Sequence, residues 1–512
     1  MQQYPVSNAL LQDAHTDCVS DLEEVLYLSQ DSKNRLLRFI RDITKTKKYI
    51  APTTFIEMKE TAEKYIAACD HIIQKIKACQ HAFSHSSPSL LLISKANEIK
   101  QSSYEFLRVH QTLFGALVTS TDWQSPSYAH SISSQAGRET GLIYATINDY
   151  KRDQHWDAHR YERAFIKENI DSFVKFPIPV LATSSGMSAF TTILNYLLLE
   201  HKATRPVFLG KSSWFQNKFL IKPAFKNIIE FDETDTEGII SAIKIHEPSI
   251  MFIDSLTNSP EVVIPNLPRI IDYLIRDSKK ETYLVIDNTG LSIMLQPFKK
   301  LLGKHSKLRL IVFESLNKYH QFGLDRVTGG IITSYGGDTL NIFHYRVHSG
   351  TNIPDATAAS LPTPNRKILL ARLKRHQRNA LIIAQALQSW IDAHPASPFE
   401  KIVFPRLSNH PSYPTAKTLP FASSYFAIQF KQLYQNVPTY ERFVTAVMKS
   451  ATKNHVNLVA GSTFGLNQTR IYLTALRSKP AIPFIRVAVG TEDRIAIEAI
   501  KELFTNIFCT FR

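Results

Sequence analysis

Through the first quarter of the chain, apolar residues recur at helical spacing. Val19 to Ile43, Phe55 to Cys79 and Leu91 to Leu117 each carry them among polar positions, the pattern of amphipathic helices. Pro52 with Thr53 and Thr54, and Ser87-Pro88, supply breaks and starts between them. From Ser120 to Ile143 the composition turns to Ser, Thr, Gly and Pro, as in a linker or arm, before a helical segment from His155 to Glu168. Between about 173 and 345 the pattern changes. Short apolar runs (Pro177 to Thr183, Val207 to Leu209, Ile250 to Ile253, Tyr283 to Ile286, Leu308 to Phe313) alternate with helical stretches such as Ala189 to Glu200 and Pro265 to Asp277. Runs this short read as strands buried on both faces, and the alternation predicts a mostly parallel sheet covered by helices. A long helix, Pro364 to His394, then opens an α+β segment. Its strands lie near Phe426 to Gln429, Ile471 to Thr474 and Arg486, and a helix from Glu492 to Phe508 closes it. The expected organisation is thus a helical region over 1–125, an arm over 126–172, an α/β large domain over 173–360 and an α+β small domain over 361–512.

Composition adds little to this picture. The 512 residues are 44% hydrophobic and 21% charged, ordinary for a soluble globular protein. No apolar run reaches membrane-spanning length, and the N-terminus lacks a basic region followed by an apolar stretch. A cytoplasmic protein without membrane contact is expected. Cys18, Cys69, Cys79 and Cys509 show no metal spacing and are too few for a disulfide framework, so no metal site is expected either. The net charge of +15 comes from scattered basic residues without a nucleic-acid motif, and no nucleic-acid partner is expected. The helical first quarter carries no chemical cluster and reads as an assembly or partner-binding module.

The candidate chemistry lies at the ends of the expected strands. Leu308 to Phe313 delivers Ser315, Asn317 and Lys318 to a strand's carboxyl end, where open α/β sheets bind ligands. A lysine desolvated there can lose its proton and form a Schiff base with a carbonyl cofactor. Asn258 and Asp287 end neighbouring strands. Ser185-Gly186-Met187 opens a helix, whose first N–H groups suit an anion or simply an ordinary cap. Trp214 ends another strand and belongs either to the core or over a flat cofactor. Tyr150 and Arg152, two apart in an extended segment, can hold one phosphate jointly. Arg486 sits in an apolar strand and needs an anion, either a structural carboxylate or a substrate's.

Taken in order, these segments resemble the Cys/Met-metabolism family of pyridoxal-phosphate enzymes, which includes cystathionine γ-synthase, cystathionine lyases and methionine γ-lyase. The resemblance covers roughly residues 145 to 510. It rests on Ser185-Gly-Met187-Ser-Ala, Asp287-Asn-Thr289 with Gln296-Pro-Phe298, and Ser315-Leu-Asn-Lys318-Tyr with Gly329-Gly330. Arg375-His376 with Asn379-Ala380, and Arg486 with Val489-Gly490 and Glu492-Asp493, extend it. It implies an α/β protein of the aspartate aminotransferase type (fold type I), a large domain with a mostly parallel sheet plus an α+β small domain, behind an all-helical N-terminal extension. By the same resemblance, Lys318 carries pyridoxal 5'-phosphate covalently and Asp287 pairs with its ring nitrogen, making the ring an electron sink. Asn258 contacts the cofactor's phenolate oxygen, Gly186, Met187 and Ser315 hold its phosphate, and Tyr150 and Arg152 reach the phosphate of a neighbouring subunit. That last role implies a homodimer or homotetramer. Arg486, helped by Thr463 or Ser462, would bind the α-carboxylate of an amino-acid substrate.

Four features depart from the family pattern, one being that no Asn-Pro follows the Tyr150–Arg152 pair. The ring-stacking tyrosine is Trp214, the threonine before the lysine is Asn317, and the segment after the lysine is Phe322-Gly-Leu-Asp325. The cofactor set is intact while the reaction-specific set is altered. The expected activity is γ-replacement on an activated homoserine, as in cystathionine γ-synthase and methionine biosynthesis. A lyase releasing a thiol is the alternative, and a non-catalytic member acting through partner binding the third.

Overall fold

The structure is a computed structural model that describes residues 6–45, 47–118, 121–122, 143–144, 156–172, 178–301, 307–335, 337–475 and 482–511. Three long helices open the chain: α1 (Asn8–Lys45), α2 (Pro52–His85) and α3 (Leu90–Val118). Each starts where local chemistry permits. Ser7 Oγ accepts from Leu10 N, Pro52 stands at the first position of α2, and Ser89 Oγ accepts from Leu92 N. Their facing apolar stripes bury Leu36, Phe39, Phe55, Met58 and Phe114 together. Helix α4 (Trp156–Asn169) follows.

The large domain holds β1 (Val180–Thr183), α5 (Gly186–Leu199), β2 (Val207–Gly210), α6 (Phe215–Ala224), β3 (Ile228–Phe231), α7 (Thr236–His246) and β4 (Ile250–Asp254). It continues with α8 (Leu267–Arg276), β5 (Thr282–Asp287), β6 (Leu308–Ser315) and β7 (Gly330–Tyr335). The seven strands pair in the order β1-β7-β6-β5-β4-β2-β3. Five neighbours, β6 through β3, run parallel, whereas β7 is antiparallel to both β6 and β1. Consequently β1, β2, β4, β5 and β6 all point the same way, and their carboxyl ends share one edge. That edge carries the candidate chemistry.

After α9 (Thr339–His348) and α10 (Asp355–Ser360), the long α11 (Arg366–Ala393) leads into the small domain. There β8 (Phe399–Val403), β9 (Tyr425–Phe430), β10 (Val459–Ala460), β11 (Arg470–Thr474) and β12 (Phe484–Ala488) order as β8-β9-β12-β11-β10, backed by α12 (Val437–Lys453) and α13 (Arg494–Thr510). A second apolar core of α11, α12, α13 and these strands is built around Phe399, Phe443, Phe504 and Phe508.

The helical region is not a detached appendage. Asp17, Asp21 and Glu24 lie on one face of α1, one per turn, and all are about 5% exposed or less. They meet Arg378, Arg375 and Arg372 of α11. Asp21 forks with Arg375 through two 3.0 Å bonds and also takes Lys100 at 3.0 Å. Asp17 forks with Arg378 at 2.8 and 2.7 Å. Arg35 donates to the carbonyls of Ala359 and Leu361, and Asn97 donates to Asp493. Carboxylates buried this deeply require such partners, so α1 is docked against its own chain. No described helix is long and apolar enough to cross a membrane.

Candidate functional site

Asp254 and Asp287 are opposite each other in register on β4 and β5, and Asp287 is opposite Phe313 on β6. Two residues past β6, the turn is pinned from both sides. Thr289 Oγ1 accepts from Ser315 N at 2.9 Å, and Asn317 Oδ1 accepts from Gly329 N at 3.0 Å. Asn317 thus ties the turn to the start of β7 rather than offering a hydroxyl. Lys318 is aimed inward, where its Nζ donates to Thr463 Oγ1 at 2.9 Å and lies 5.4 Å from the Phe464 ring centre. Burial pulls its pKa below the ordinary lysine range; the Asp325 charge opposes that, and Arg486 adds to it.

Asp287 accepts from Thr289 N at 3.0 Å and from Asn217 Nδ2 at 3.4 Å. Asp254 accepts from Trp214 N at 2.8 Å. Burial raises both acids above the ordinary carboxylate range, and for Asp254 the charge of Asp287 raises it further. Adjacent buried carboxylates resist ionising together. Of the two, Asp254 is the more strongly held in its neutral form. Asp254 gave no signal in the sequence, because nothing in the linear order shows that it faces Asp287.

Gly186 opens α5 hard against β6: a Cβ there would fall 2.7 Å from Ser315 Cβ. Ser185 caps the helix by accepting from Ser188 N at 2.9 Å, while first-turn N–H groups have no intrahelical acceptor. From the small domain, Arg486 of β12 reaches the same space. It donates to Asn258 Oδ1 at 2.6 Å and to the Ser462 carbonyl, with Tyr425 and Phe464 ring centres 5.6 Å away. Its Nε is buried without a partner, and among the described residues no carboxylate forms an ion pair with it. Burial lowers its pKa.

Gly186, Met187, Trp214, Asn258, Asp287, Ser315, Lys318, Ser462, Thr463 and Arg486 all line one cavity of ≈ 1040 Å³. Two details differ from expectation. The Thr463 hydroxyl holds Lys318 rather than standing by for a carboxylate, and Ser462 meets Arg486 through its backbone. Among the lining residues, Trp214 has its ring centre 4.3 Å from that of Phe215 and its indole N–H on Gln216. Tyr150 and Arg152 lie outside the described residues. Sequence reading missed Asn217, Tyr425 and Phe464; only Tyr425 and Phe464 carried a signal, as aromatic residues beside a strand start and a Gly-rich turn.

The model of the family described as "Cys/Met metabolism PLP-dependent enzyme" matches residues 178–499, well over half of the chain. The chain belongs to that family. Its cofactor is accordingly pyridoxal phosphate. The curated relatives it matches include the bifunctional enzyme flvA of Aspergillus flavus, 23% identical over 61% of this chain and 37% of the relative. They also include cystathionine gamma-lyase of Sus scrofa, 26% identical over 46% of this chain and 54% of the relative. Cystathionine beta-lyase of Saccharomyces cerevisiae is 25% identical, over 44% and 49%. The chain thus spans between 37% and 54% of the length of these relatives. Cystathionine gamma synthase from Xanthomonas oryzae pv. oryzae superimposes with TM-score 0.55 at 18% identity, covering 71% of this chain and 89% of that one. For metB from Corynebacterium glutamicum the values are 0.55, 21%, 79% and 97%. These likenesses establish the fold. The first 177 residues lie outside the family match.

The residues suit the cofactor. A cradle too tight for any Cβ at Gly186, a desolvated amine at Lys318 and an acid at Asp287 share one cavity.

Proposed function

We propose that the chain is a pyridoxal-phosphate enzyme of trans-sulfuration type, acting on an L-amino acid of the homoserine or homocysteine class by γ-replacement. The observation that carries this reading is Arg486, a buried cation with a free Nε and no carboxylate partner among the described residues, facing the cavity that Lys318 lines. A guanidinium in that position fits an α-carboxylate bidentately. The bound cofactor supplies an electron sink that acidifies the substrate's α- and β-hydrogens.

Around it, this chain's own residues divide the work. Gly186, Met187 and Ser315 would hold the phosphate, Asp287 would pair with the ring nitrogen, and Asn258, whose Oδ1 takes Arg486, would turn its Nδ2 to the phenolate oxygen. Lys318, whose ammonium form burial disfavours, takes the α-proton and returns it. Thr463 holds its Nζ in place between these tasks. Trp214, in the cavity lining, has an N–H that only donates, so it relays no proton during loss of a γ-substituent. That favours replacement by an incoming nucleophile over simple elimination. The lyase reading is the second choice, favoured by the curated relatives named as cystathionine lyases.

The test begins with colour. Purified protein should absorb in the visible range once supplied with the cofactor, and borohydride should fix the label on Lys318. O-acyl-homoserines with thiols, cystathionine, cysteine and methionine then separate replacement from cleavage. A colourless protein, or label on another lysine, ends this reading.

A further inference from the structure

The three N-terminal helices fall outside the family match, yet two of them are tied to the loops that follow Lys318 and Thr463. Glu24 of α1 is 5% exposed and pairs with Arg372 of α11, and Tyr104 of α3 donates its hydroxyl to the same carboxylate. From this cluster two contacts run to the loops that carry the chemistry. Tyr104 Oη shares its one hydrogen between that carboxylate and the Phe322 carbonyl, 2.8 Å away, and Arg372 Nη2 donates to the Gly465 carbonyl at 3.2 Å. The Phe322 ring also meets Tyr27 of α1 edge-on, centres 6.0 Å apart.

The two loops are the one after Lys318 and the one after Thr463, and they touch each other directly. A Cβ on Gly465 would fall 2.8 Å from the Lys318 carbonyl, and one on Gly323 would meet Asn467. The first loop is also strained: Phe322 and Asp325 hold φ of 48° and 41°, left-handed values that L side chains rarely adopt. Such backbone persists only where its surroundings over-determine it. Phe322 N to Tyr319 O (3.0 Å) and Leu324 N to Gln321 O (2.9 Å) close the turn from within. The contact that holds the Phe322 carbonyl from outside comes from α3.

We propose that the N-terminal helices form a structural wall of the active centre, with Glu24 and Tyr104 as positioning residues that hold the Lys318 and Thr463 loops in place through the Phe322 carbonyl and Arg372. This rests on the reading of Lys318 and Thr463 as the functional pair. It gives the helical region a role inside its own chain. The hydroxyl and guanidinium meet on one buried carboxylate, so Glu24 sets where both clamps stand, while losing the Tyr104 hydroxyl removes only the first. Lys318 would then be less well placed against Thr463 and against the charges that face it, Asp325, Asp287 and Arg486.

Hydrogen exchange of the full-length, cofactor-free protein tests this with Tyr104→Phe, Glu24→Gln and, as a control, Asp70→Asn. The control loosens the Lys33–Asp70 pair between α1 and α2, remote from both loops. Amides over 319–325 should exchange about tenfold faster in Tyr104→Phe, the size expected from one lost hydrogen bond. In Glu24→Gln the effect should extend to 463–467, and in Asp70→Asn both loops should match the wild type. Competitive acylation of Lys318 across a pH series, read by mass spectrometry, should show its apparent pKa rising toward the ordinary lysine range in both loop variants. Loop exchange unchanged in both variants, or faster exchange spread evenly over α1–α3, overturns the proposal. Because neither readout uses the cofactor, that failure is distinct from a protein that stays colourless.

Discussion

Replacing Arg486 separates a substrate anchor from a structural cation, and the two roles predict opposite signs for stability. In Arg486→Met the side-chain volume is roughly kept, while the Asn258 and Ser462 oxygens lose their donors. Those oxygens line a cavity of ≈ 1040 Å³, so water can replace the donors. Against that loss stands relief from holding an unpaired buried cation, a cost large enough to lower the arginine's own pKa. The cofactor-free variant should therefore unfold within about 1 kcal/mol of the wild type, because exchanging buried charge for well-packed apolar volume is often neutral or stabilising. Binding should behave differently. Losing the partner of a buried carboxylate costs about 2–5 kcal/mol, so the amino-acid Kd should rise roughly 30- to 4000-fold at about 1.4 kcal/mol per decade. Spectral titration of the cofactor-loaded protein with a substrate amino acid measures the second quantity, and urea unfolding the first. Arg486→Lys should fall between, keeping the charge and losing the fork. A variant that binds as the wild type, or that loses several kcal/mol of stability, would refute the assignment.

Other residues carry sharper single tests. Trp214→Tyr should keep the cofactor spectrum and increase elimination from an O-acyl-homoserine or methionine, since a phenol can exchange a proton and an indole cannot; product assays showing no change in either direction would count against Trp214 lying over the cofactor. Glu233, buried beside Ser212 and Gly210, has its pKa pushed up to about 7 by burial from an ordinary 4.5. A carboxyl raised on folding adds stability below its unfolded pKa and loses it as pH rises through the folded value. The protein should therefore lose stability between about pH 4.5 and 7, by up to ~3 kcal/mol from this group, and Glu233→Gln should flatten that part of the curve in thermal melts. Asp21→Ala strands Arg375 and Lys100 around a buried vacancy, so chemical denaturation should show a loss of about 3–5 kcal/mol; a loss under 1 kcal/mol would mean that α1 is held by its apolar stripe alone.

What could be read from the chain was whatever depends on periodicity and local chemistry. The three N-terminal helices, the strand–helix alternation after residue 173 and the terminal helix follow from spacing. The Lys318 turn, the Ser185 cap and the lone cation of β12 follow from residue type at a strand or helix end. Strand direction at the far edge was less legible: β7 reverses against both neighbours, and a short apolar run looks the same in either direction. Local spacing was also silent about Asp254, whose importance comes from lying opposite Asp287, and about Asn317, whose amide serves β7.

The helical region shows the division most plainly. Its sequence determined that α1 would be a helix with an apolar stripe, because apolar residues recur with the 3.6-residue period. It left open whether Asp17, Asp21 and Glu24 face water or a partner, since a charged stripe is ordinarily a solvated one. Only the tertiary structure decided that they face Arg378, Arg375 and Arg372, more than 340 residues away in the chain. The reason is that pairing across such a separation depends on how whole helices pack, and no local pattern encodes it. The same packing brings Tyr104 to the Phe322 carbonyl, and so joins a region outside the family match to the lysine on which the site is built.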